Sequence, residues 1–357
     1  MLNDILKAFQ LDSDEYKVQQ FGDGLINHTW KVTDLNNNPK YILQQVNHSV
    51  FKSPDDIADN IQQISKYLAQ HHPDYLFVSP LPTTTGDYIL KPGDDAYYRL
   101  FPYVEGSVTI NTVHRPGEAF EAARQFARFT SFLKDFDSTG LHYTLPGFHD
   151  LTTRFTQFQQ AVKGAGKSRL YSASAAIDKA YQYRDIAKTH QDIINNELIP
   201  LRVIHHDTKI SNVLFDSDSK GLCVIDLDTV MPGYYISDIG DMMRTYLSPC
   251  NEEEQDLSKI EVREDFFAGI VKGYFGEMGS ILTDTEKSLF VYAGKFMIYM
   301  QAIRFLADYL NNDSYYHTSY PGHNLVRAQN QFTLLDKYLE SEDRFQQIVN
   351  NYSKELV

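Results

Sequence analysis

The amino-acid sequence predicts an α+β fold of two lobes, a small β-rich N-terminal lobe and a larger, mainly helical C-terminal lobe. Three observations carry that expectation. The 357 residues exceed the length at which a single hydrophobic core usually stops growing. Short β-like runs separated by turn signals fill the first hundred residues. From Pro116 onward, apolar stripes at helical spacing take over. The expected division places residues 1–104 in one lobe and 105–357 in the other.

Each element follows from local pattern. Val18 to Phe21 reads as a strand, Gly22-Asp23-Gly24 as a turn, and His28 to Thr33 as a second strand. Asn36-Asn37-Asn38-Pro39 is a hairpin connection into a third strand, Tyr41 to Val46. Pro54-Asp55-Asp56 opens a helix whose Ile57, Ile61, Ile64 and Leu68 share one face. Strands return over Asp87 to Lys91 and Ala96 to Phe101, with Pro92-Gly93 as the link. In the second lobe, Ala119, Ala122, Ala123, Phe126, Phe129 and Leu133 stripe a long helix. Further helical stretches cover Leu151 to Val162, Ala175 to Asn196, Asp265 to Phe275 and Thr285 to Leu310. One β-rich island, Val203 to Asp228, interrupts them and is placed at the expected cleft.

Composition removes several function classes. A net charge of −14 without any Lys/Arg block argues against nucleic acid and anionic membranes as partners, because polyanion binding needs a basic footprint. Two cysteines, Cys223 and Cys250, make no metal or redox spacing and no disulfide framework, which fits a reducing cytoplasm. Met1 to Lys7 lacks the pattern of a signal peptide, and no apolar run is long enough to span a bilayer, so a cytoplasmic location is expected. Nothing in the sequence sets an oligomeric state.

The island concentrates the chemistry: Val203-Ile204-His205-His206-Asp207-Thr208-Lys209-Ile210-Ser211-Asn212, then Val224-Ile225-Asp226-Leu227-Asp228. These are the residue types that phosphoryl transfer requires. Asp207 suits a base that orients and deprotonates an acceptor hydroxyl, and Lys209 a cation that offsets charge on the moving phosphoryl group. Asn212 and Asp226 supply hard oxygens for magnesium on a nucleotide triphosphate. His205 is read as a hydrogen-bonding brace. The implied ligands are ATP and Mg2+.

The order His-x-Asp-x-Lys-x-x-Asn followed by Ile-Asp resembles the catalytic and metal segments of protein-kinase-like enzymes, and Asp-Leu-Asp in place of Asp-Phe-Gly resembles the aminoglycoside phosphotransferase superfamily. A closer resemblance joins Gly22 to Asn27, Tyr41 to Asn47, His205 to Lys209, Ile225 to Gly233, Arg304 to Leu310, Tyr320-Pro321 and His323 to Arg327. Together these are similar to the N-acetylhexosamine 1-kinase family, over most of the chain. The resemblance implies a bilobal protein-kinase-like fold and transfer of phosphate from ATP to the anomeric hydroxyl of an N-acetylhexosamine. It further implies Asp207 as base, Arg304 and Tyr320 as sugar contacts, and Gly22, Asp23 and Gly24 as a phosphate-covering loop. In kinase-like folds the crossing between lobes binds adenine through its backbone, which places the base near Phe101, Tyr103 and Val104.

Departures accompany the matches. Leu25 stands where the family has a sugar-contacting histidine, and it can neither donate nor accept a hydrogen bond. Gln44 stands where the third strand of kinase-like folds carries lysine, and Gln62 corresponds to that lysine's helical glutamate partner. Bland readings stay open beside these. Gly22-Asp23-Gly24 also fits an ordinary hairpin turn, Asp228 either a second metal-side carboxylate or a cap, and Tyr315, Tyr316 and Tyr320 plain packing. Asp238 and Asp241 read as braces of the loop and of a helix start. The rival functions are a kinase for an aminoglycoside, choline, homoserine or another sugar, a nucleotide-binding pseudokinase, and an HD-type phosphohydrolase built on His206-Asp207.

Overall fold

The computed structural model describes residues 2–22, 27–93 and 96–355. In chain order, helix α1 (Leu2–Ala8) precedes strands β1 (Tyr16–Gln20), β2 (His28–Asp34) and β3 (Pro39–Gln45). Helix α2 (Pro54–His71) leads to β4 (Leu90–Gly93), β5 (Ala96–Pro102) and β6 (Val108–Thr109). Helices α3 (Pro116–Phe132), α4 (Leu151–Gly164), α5 (Lys167–Ser172), α6 (Ser174–Gln182) and α7 (Asp185–Asn195) follow. Strands β7 (Arg202–Ile204), β8 (Val213–Phe215), β9 (Gly221–Val224) and β10 (Met231–Gly233) come next. Helices α8 (Ile236–Tyr246), α9 (Glu264–Met278), α10 (Asp284–Ser288), α11 (Phe290–Leu310), α12 (His323–Glu340) and α13 (Glu342–Glu355) complete the order. The fold is the expected α+β type, with an antiparallel sheet in the N-terminal part and a mostly helical C-terminal part.

The chain forms two compact units, each discontinuous in sequence. The first comprises Met1–Thr109, Asp135–Pro146 and Leu214–Pro232. Its five-stranded sheet runs β1-β2-β3-β5-β4. Val32, Leu43, Tyr98 and Leu100 bury one face against Ile5, Leu6 and Phe9, the apolar residues in and just after α1. Burial of each such side chain stabilises by about 1.5–3 kcal/mol. The β2–β3 turn is set by Asp34, whose carboxylate accepts from the backbone N–H groups of Asn36 and Asn38 at 2.9 and 2.8 Å. Helix α2 buries Ile57, Ile61, Ile64 and Leu68, the stripe its spacing predicts. Strands β8 and β9 are neighbours joined by a turn in which Asp216 N–H donates to the Lys220 carbonyl.

The second unit comprises Ile110–Lys134, Gly147–Val213 and Gly233–Val357. Helix α11 is apolar on nearly all sides and is the buried axis of this unit, which is why its pattern lacks a polar face. Helices α3 and α9 meet closely because Gly273 has no side chain: a Cβ there would lie 2.3 Å from the Phe120 carbonyl oxygen. Among the described residues, no helix is long and apolar enough to cross a membrane.

Four local expectations differ from the structure. Helix α1 was not expected; it is short, and its apolar residues gain their meaning only from the sheet they cover. The stretch read as one helix from Ala175 to Asn196 breaks at Tyr183 and Arg184 into α6 and α7. The stretch from Thr285 starts instead as a separate turn of helix capped by Thr283 and Glu286, then restarts at Phe290. Pro92-Gly93, read as a link, belongs to strand β4, which is an edge strand where a missing N–H is tolerated.

Candidate active site

In the second unit, β7 carries the chain into the loop His205 to Asn212. Val203 and Ile204 are buried and anchor the approach. His206 takes φ +65°, a left-handed conformation that a non-glycine residue adopts only where its surroundings enforce it. The enforcement comes from helix α8. Asp238 accepts the backbone N–H groups of His205 and His206 at 2.9 and 2.7 Å, and Asp241 accepts that of Thr208 at 3.0 Å. The Thr208 hydroxyl donates to the Asp238 carbonyl at 2.8 Å, and the Tyr246 hydroxyl donates to the Thr208 carbonyl. Arg244 ties Asp241 to Glu252, at 2.9 and 2.8 Å. Both aspartates brace the loop, the role their position suggested. Gly233 completes the cradle, since a Cβ there would lie 2.4 Å from His206 Nε2.

Asp207 projects from this frame. Its carboxylate pairs with Lys209 Nζ at 3.2 Å, its backbone carbonyl accepts from Asn212 Nδ2 at 2.9 Å, and its N–H donates to His205 Nδ1 at 3.3 Å. Burial alone would raise the Asp207 pKa, but Lys209 and His205 outweigh it and hold the carboxyl below the usual range. Reciprocally, the Asp207 charge raises the Lys209 pKa, so the pair is ionised at neutral pH. Asp238 behaves oppositely: burial pushes it up to about 7 despite its two backbone donors. Because Asn212 commits its amide nitrogen to the Asp207 carbonyl, its oxygen is the atom left for a cation.

Next to the loop, Arg304, which the resemblance marked, lies among groups that the sequence did not mark. The His149 ring stands 5.5 Å from that of His206 and stacks on Phe148 at 4.3 Å. Burial, then the charges of His206, Arg304, Arg244 and Arg154, hold the His149 pKa well below the ordinary value, so its imidazole is neutral. Arg304, on α11, sits 5.4 Å from the Phe148 ring and 5.6 Å from that of Tyr316, and donates to Gln301 at 3.1 Å. Arg154 donates to the Phe148 carbonyl and to Gln157, each at 3.1 Å, and burial followed by the charge of Arg304 lowers its pKa. Neither arginine has a carboxylate within ion-pair distance among the described residues. Tyr320 stacks on His323 at 4.4 Å and accepts from Gln255 at 3.2 Å, so Arg304's aromatic neighbours are Phe148 and Tyr316.

The first unit holds the remaining candidate residues. Gly22 follows β1 with φ +76°, while Asp23, Gly24 and Leu25 lie outside the described residues. Phe101 pairs with Ile42 across β3 and β5, the Tyr103 N–H donates to the Lys40 carbonyl at 2.9 Å, and the Val104 carbonyl accepts the Ser107 hydroxyl at 2.7 Å. Asp226 follows β9 in a left-handed conformation, φ 60° and ψ 59°, exposed at the start of the short 3-10 turn Leu227–Thr229.

Asp228 is buried inside the Leu227–Thr229 turn, whose cap position is taken by Asp226. One carboxylate oxygen pairs with Arg99 Nη1 and the other accepts from Asn27 Nδ2 at 2.8 Å. Gln44 faces Arg99 across β3 and β5 and accepts from its Nε and Nη2 at 3.1 and 2.9 Å. Gln62 is buried with its amide nitrogen unpartnered, so the expected Gln44–Gln62 amide pair does not form. Sequence reasoning missed Arg99. The available signal was the uncharged residue at Gln44, which invites a cation on the neighbouring strand.

Asn212, in the second unit, and Asp226, in the first, each present a hard oxygen of the type magnesium takes, so the chemistry of each donor fits that ion. Among the described residues, no group of three His, Cys, Asp or Glu is placed to hold a metal ion.

Comparison with known proteins agrees with this architecture. The chain is similar in fold to a microcompartment-associated aminopropanol kinase, at 18% identity over 96% of this chain and 97% of that one, with a TM-score of 0.59. It is similar to an aminoglycoside phosphotransferase from Alicyclobacillus acidocaldarius, at 15% identity over 95% of each chain and TM-score 0.64. A choline kinase from Cryptosporidium parvum matches at 12% identity over 99% of this chain and 98% of that one, with TM-score 0.60. The family described as APH, the phosphotransferase enzyme family, matches residues 17–273. That match includes the Asp207 loop, Arg99 and the Asp226 turn and spans most of the chain, which therefore belongs to the APH phosphotransferase enzyme family.

Proposed function

We propose that this chain is an ATP-dependent kinase of an uncharged sugar hydroxyl, with the anomeric hydroxyl of an N-acetylhexosamine as the acceptor. Asp207 takes the proton of that hydroxyl as its oxygen bonds to the γ-phosphorus, and the bond to the ADP oxygen breaks. Lys209 keeps Asp207 ionised and balances charge on the moving group. Asp226 and Asn212 are the proposed oxygen donors to magnesium, which when bound neutralises the phosphates and polarises the γ-phosphoryl group. Phe101, Tyr103 and Val104 are the proposed adenine contacts, and Gly22 the start of the phosphate-covering segment.

The observation that carries the acceptor class is the charge beside the catalytic loop. Among the described residues, Arg154 and Arg304 flank Phe148 and Tyr316 without a carboxylate at ion-pair distance, and His149 is neutral. Acceptors such as aminopropanol, choline and aminoglycosides carry ammonium groups. At 4 Å, a cation beside a guanidinium is repelled by about 4 kcal/mol in a partly screened protein environment. A neutral acceptor with hydroxyl and amide oxygens meets donors instead, and Arg304 with the tyrosines provides them. Tyr320 remains a proposed sugar contact on resemblance.

The test is a labelled-ATP screen over N-acetylglucosamine, N-acetylgalactosamine, glucose, galactose, choline, aminopropanol and an aminoglycoside. Transfer to an N-acetylhexosamine with loss of its reducing end is the expected result. Faster transfer to any ammonium-bearing acceptor than to every neutral sugar would overturn the reading.

A further inference from the structure

Strand β3 lacks the lysine that protein-kinase-like enzymes use, yet the first unit still buries one cation opposite that position. Arg99 on β5 is only 3% exposed and directly faces Gln44 in the sheet register. Three of its guanidinium donors are committed: Nε and Nη2 to Gln44, and Nη1 to Asp228. Gln44 is held in turn, its amide nitrogen donating to the Thr29 hydroxyl at 3.3 Å. Gln44 thus orients the guanidinium by its carbonyl, whereas a lysine there would compete with it.

The recipient of this charge is a residue two places beyond the proposed metal ligand. Asp228 is 2% exposed and every one of its polar groups with a described contact is gripped by a different segment. Arg99 and Asn27 take the two carboxylate oxygens, and the Thr144 hydroxyl donates to the backbone carbonyl at 2.8 Å. Asn27 is fixed by the Asn47 N–H, which donates to its amide oxygen at 3.0 Å. Asn60 of α2 donates to the Val230 carbonyl at 3.1 Å, closing the far side of the turn. An exposed aspartate in a left-handed conformation, Asp226, therefore sits at the head of a turn pinned from four segments.

We propose that Arg99 and Asp228 are positioning residues for magnesium: the buried pair fixes the Leu227–Thr229 turn so that Asp226 presents its carboxylate to the metal, and Arg99 supplies from β5 the fixed charge that β3 lacks. This rests on the reading of Asp226 as a metal ligand. Asp228 is assigned the positioning role and Asp226 the ligand's, because Arg99 and Asn27 already hold the two Asp228 oxygens. Residues that orient a metal ligand typically contribute 10–100-fold to metal affinity.

The test measures ADP binding by calorimetry with and without magnesium. The wild-type protein binds ADP more tightly with magnesium, and Asp226→Asn removes that gain. Arg99→Met also removes it, raising the magnesium needed for half-saturation roughly 10–100-fold while magnesium-free ADP affinity stays put. Gln44→Lys placed on Arg99→Met returns a cation within reach of Asp228 and recovers part of the gain. If Arg99→Met does not fold, Arg99→Met/Asp228→Asn removes both charges, leaves no buried ion unpaired, and is expected to lose the same gain. A full magnesium gain in any folded variant lacking Arg99, with Asp226→Asn deficient, overturns the positioning role alone. A full gain in Asp226→Asn overturns the metal assignment, and the role of Arg99 falls with it.

Discussion

The turns that carry Asp207 and Asp226 are held by different means. The Asp207 loop of the second unit is braced by carboxylates that receive backbone N–H groups: Asp238 takes two and Asp241 one. The Asp226 turn of the first unit is braced by a side-chain ion pair, Asp228 with Arg99, assisted by Asn27 and Thr144. Backbone capture fixes the path of the chain and leaves the Asp207 side chain to its own partner, Lys209. Side-chain capture ties a turn to a sheet whose strands come from distant sequence. The first device is local in the fold and tolerates changes at the sheet; the second transmits the sheet's register into the direction of one carboxylate.

Asp207→Asn breaks the comparison at its chemical end. The loop retains Asp238, Asp241 and the Asn212 bond, so the chain path persists while the proposed base is lost. Turnover is expected to fall roughly 10²–10⁴-fold, with ADP affinity in magnesium unchanged. Near-normal steady-state turnover in a preparation free of contaminating kinase would remove Asp207 from the base role.

Asp238→Ala sharpens the comparison on the side of stability. It strips the acceptors from two buried N–H groups, each costing about 1–3 kcal/mol when left unpaired, and releases His206 from its left-handed conformation. Urea unfolding is expected to show a lowered midpoint and turnover to drop with it, whereas the magnesium gain in ADP affinity survives. A midpoint equal to wild type would mean that the loop holds its own shape and that α8 merely lies behind it.

How much of this was legible follows the same division. Asp207, Lys209 and Asn212 stand within six residues of one another, so their order alone predicted a shared loop, and the structure joins all three. Asp238 and Asp241 read as braces because acidic residues at the start of a helix are placed to receive loop N–H groups, and that is what they do. The partner of Asp228 was not legible. Arg99 lies 129 residues away, and which strand residue faces Gln44 depends on a sheet register that no local pattern displays. The neutral His149 escaped for a similar reason, since the burial that discharges it and the arginines around it belong to α4, α8 and α11. Helix α1 gave a sequence signal too short to stand without the sheet it covers.

The smallest effect concerns the Asp207–Lys209 pair, and its sign is fixed by the balance around the carboxylate. Burial favours the neutral acid; Lys209, first among the opposing groups, favours the anion and prevails, leaving the Asp207 pKa below that of a free aspartate. In the wild-type enzyme the acid limb of kcat/KM due to Asp207 therefore lies below the ordinary carboxylate range, and activity persists as pH falls toward it. Lys209→Met removes the prevailing charge while the burial remains. The pKa must then rise, and the acid limb moves to higher pH. Reduced kcat at neutral pH alone would also follow if Lys209 only contacted the phosphoryl group, so the limb is the deciding measurement. A profile with lower kcat and an unmoved acid limb would leave Lys209 as a phosphate contact and assign the depressed pKa of Asp207 to His205 and Asn212, the other groups that favour its anion.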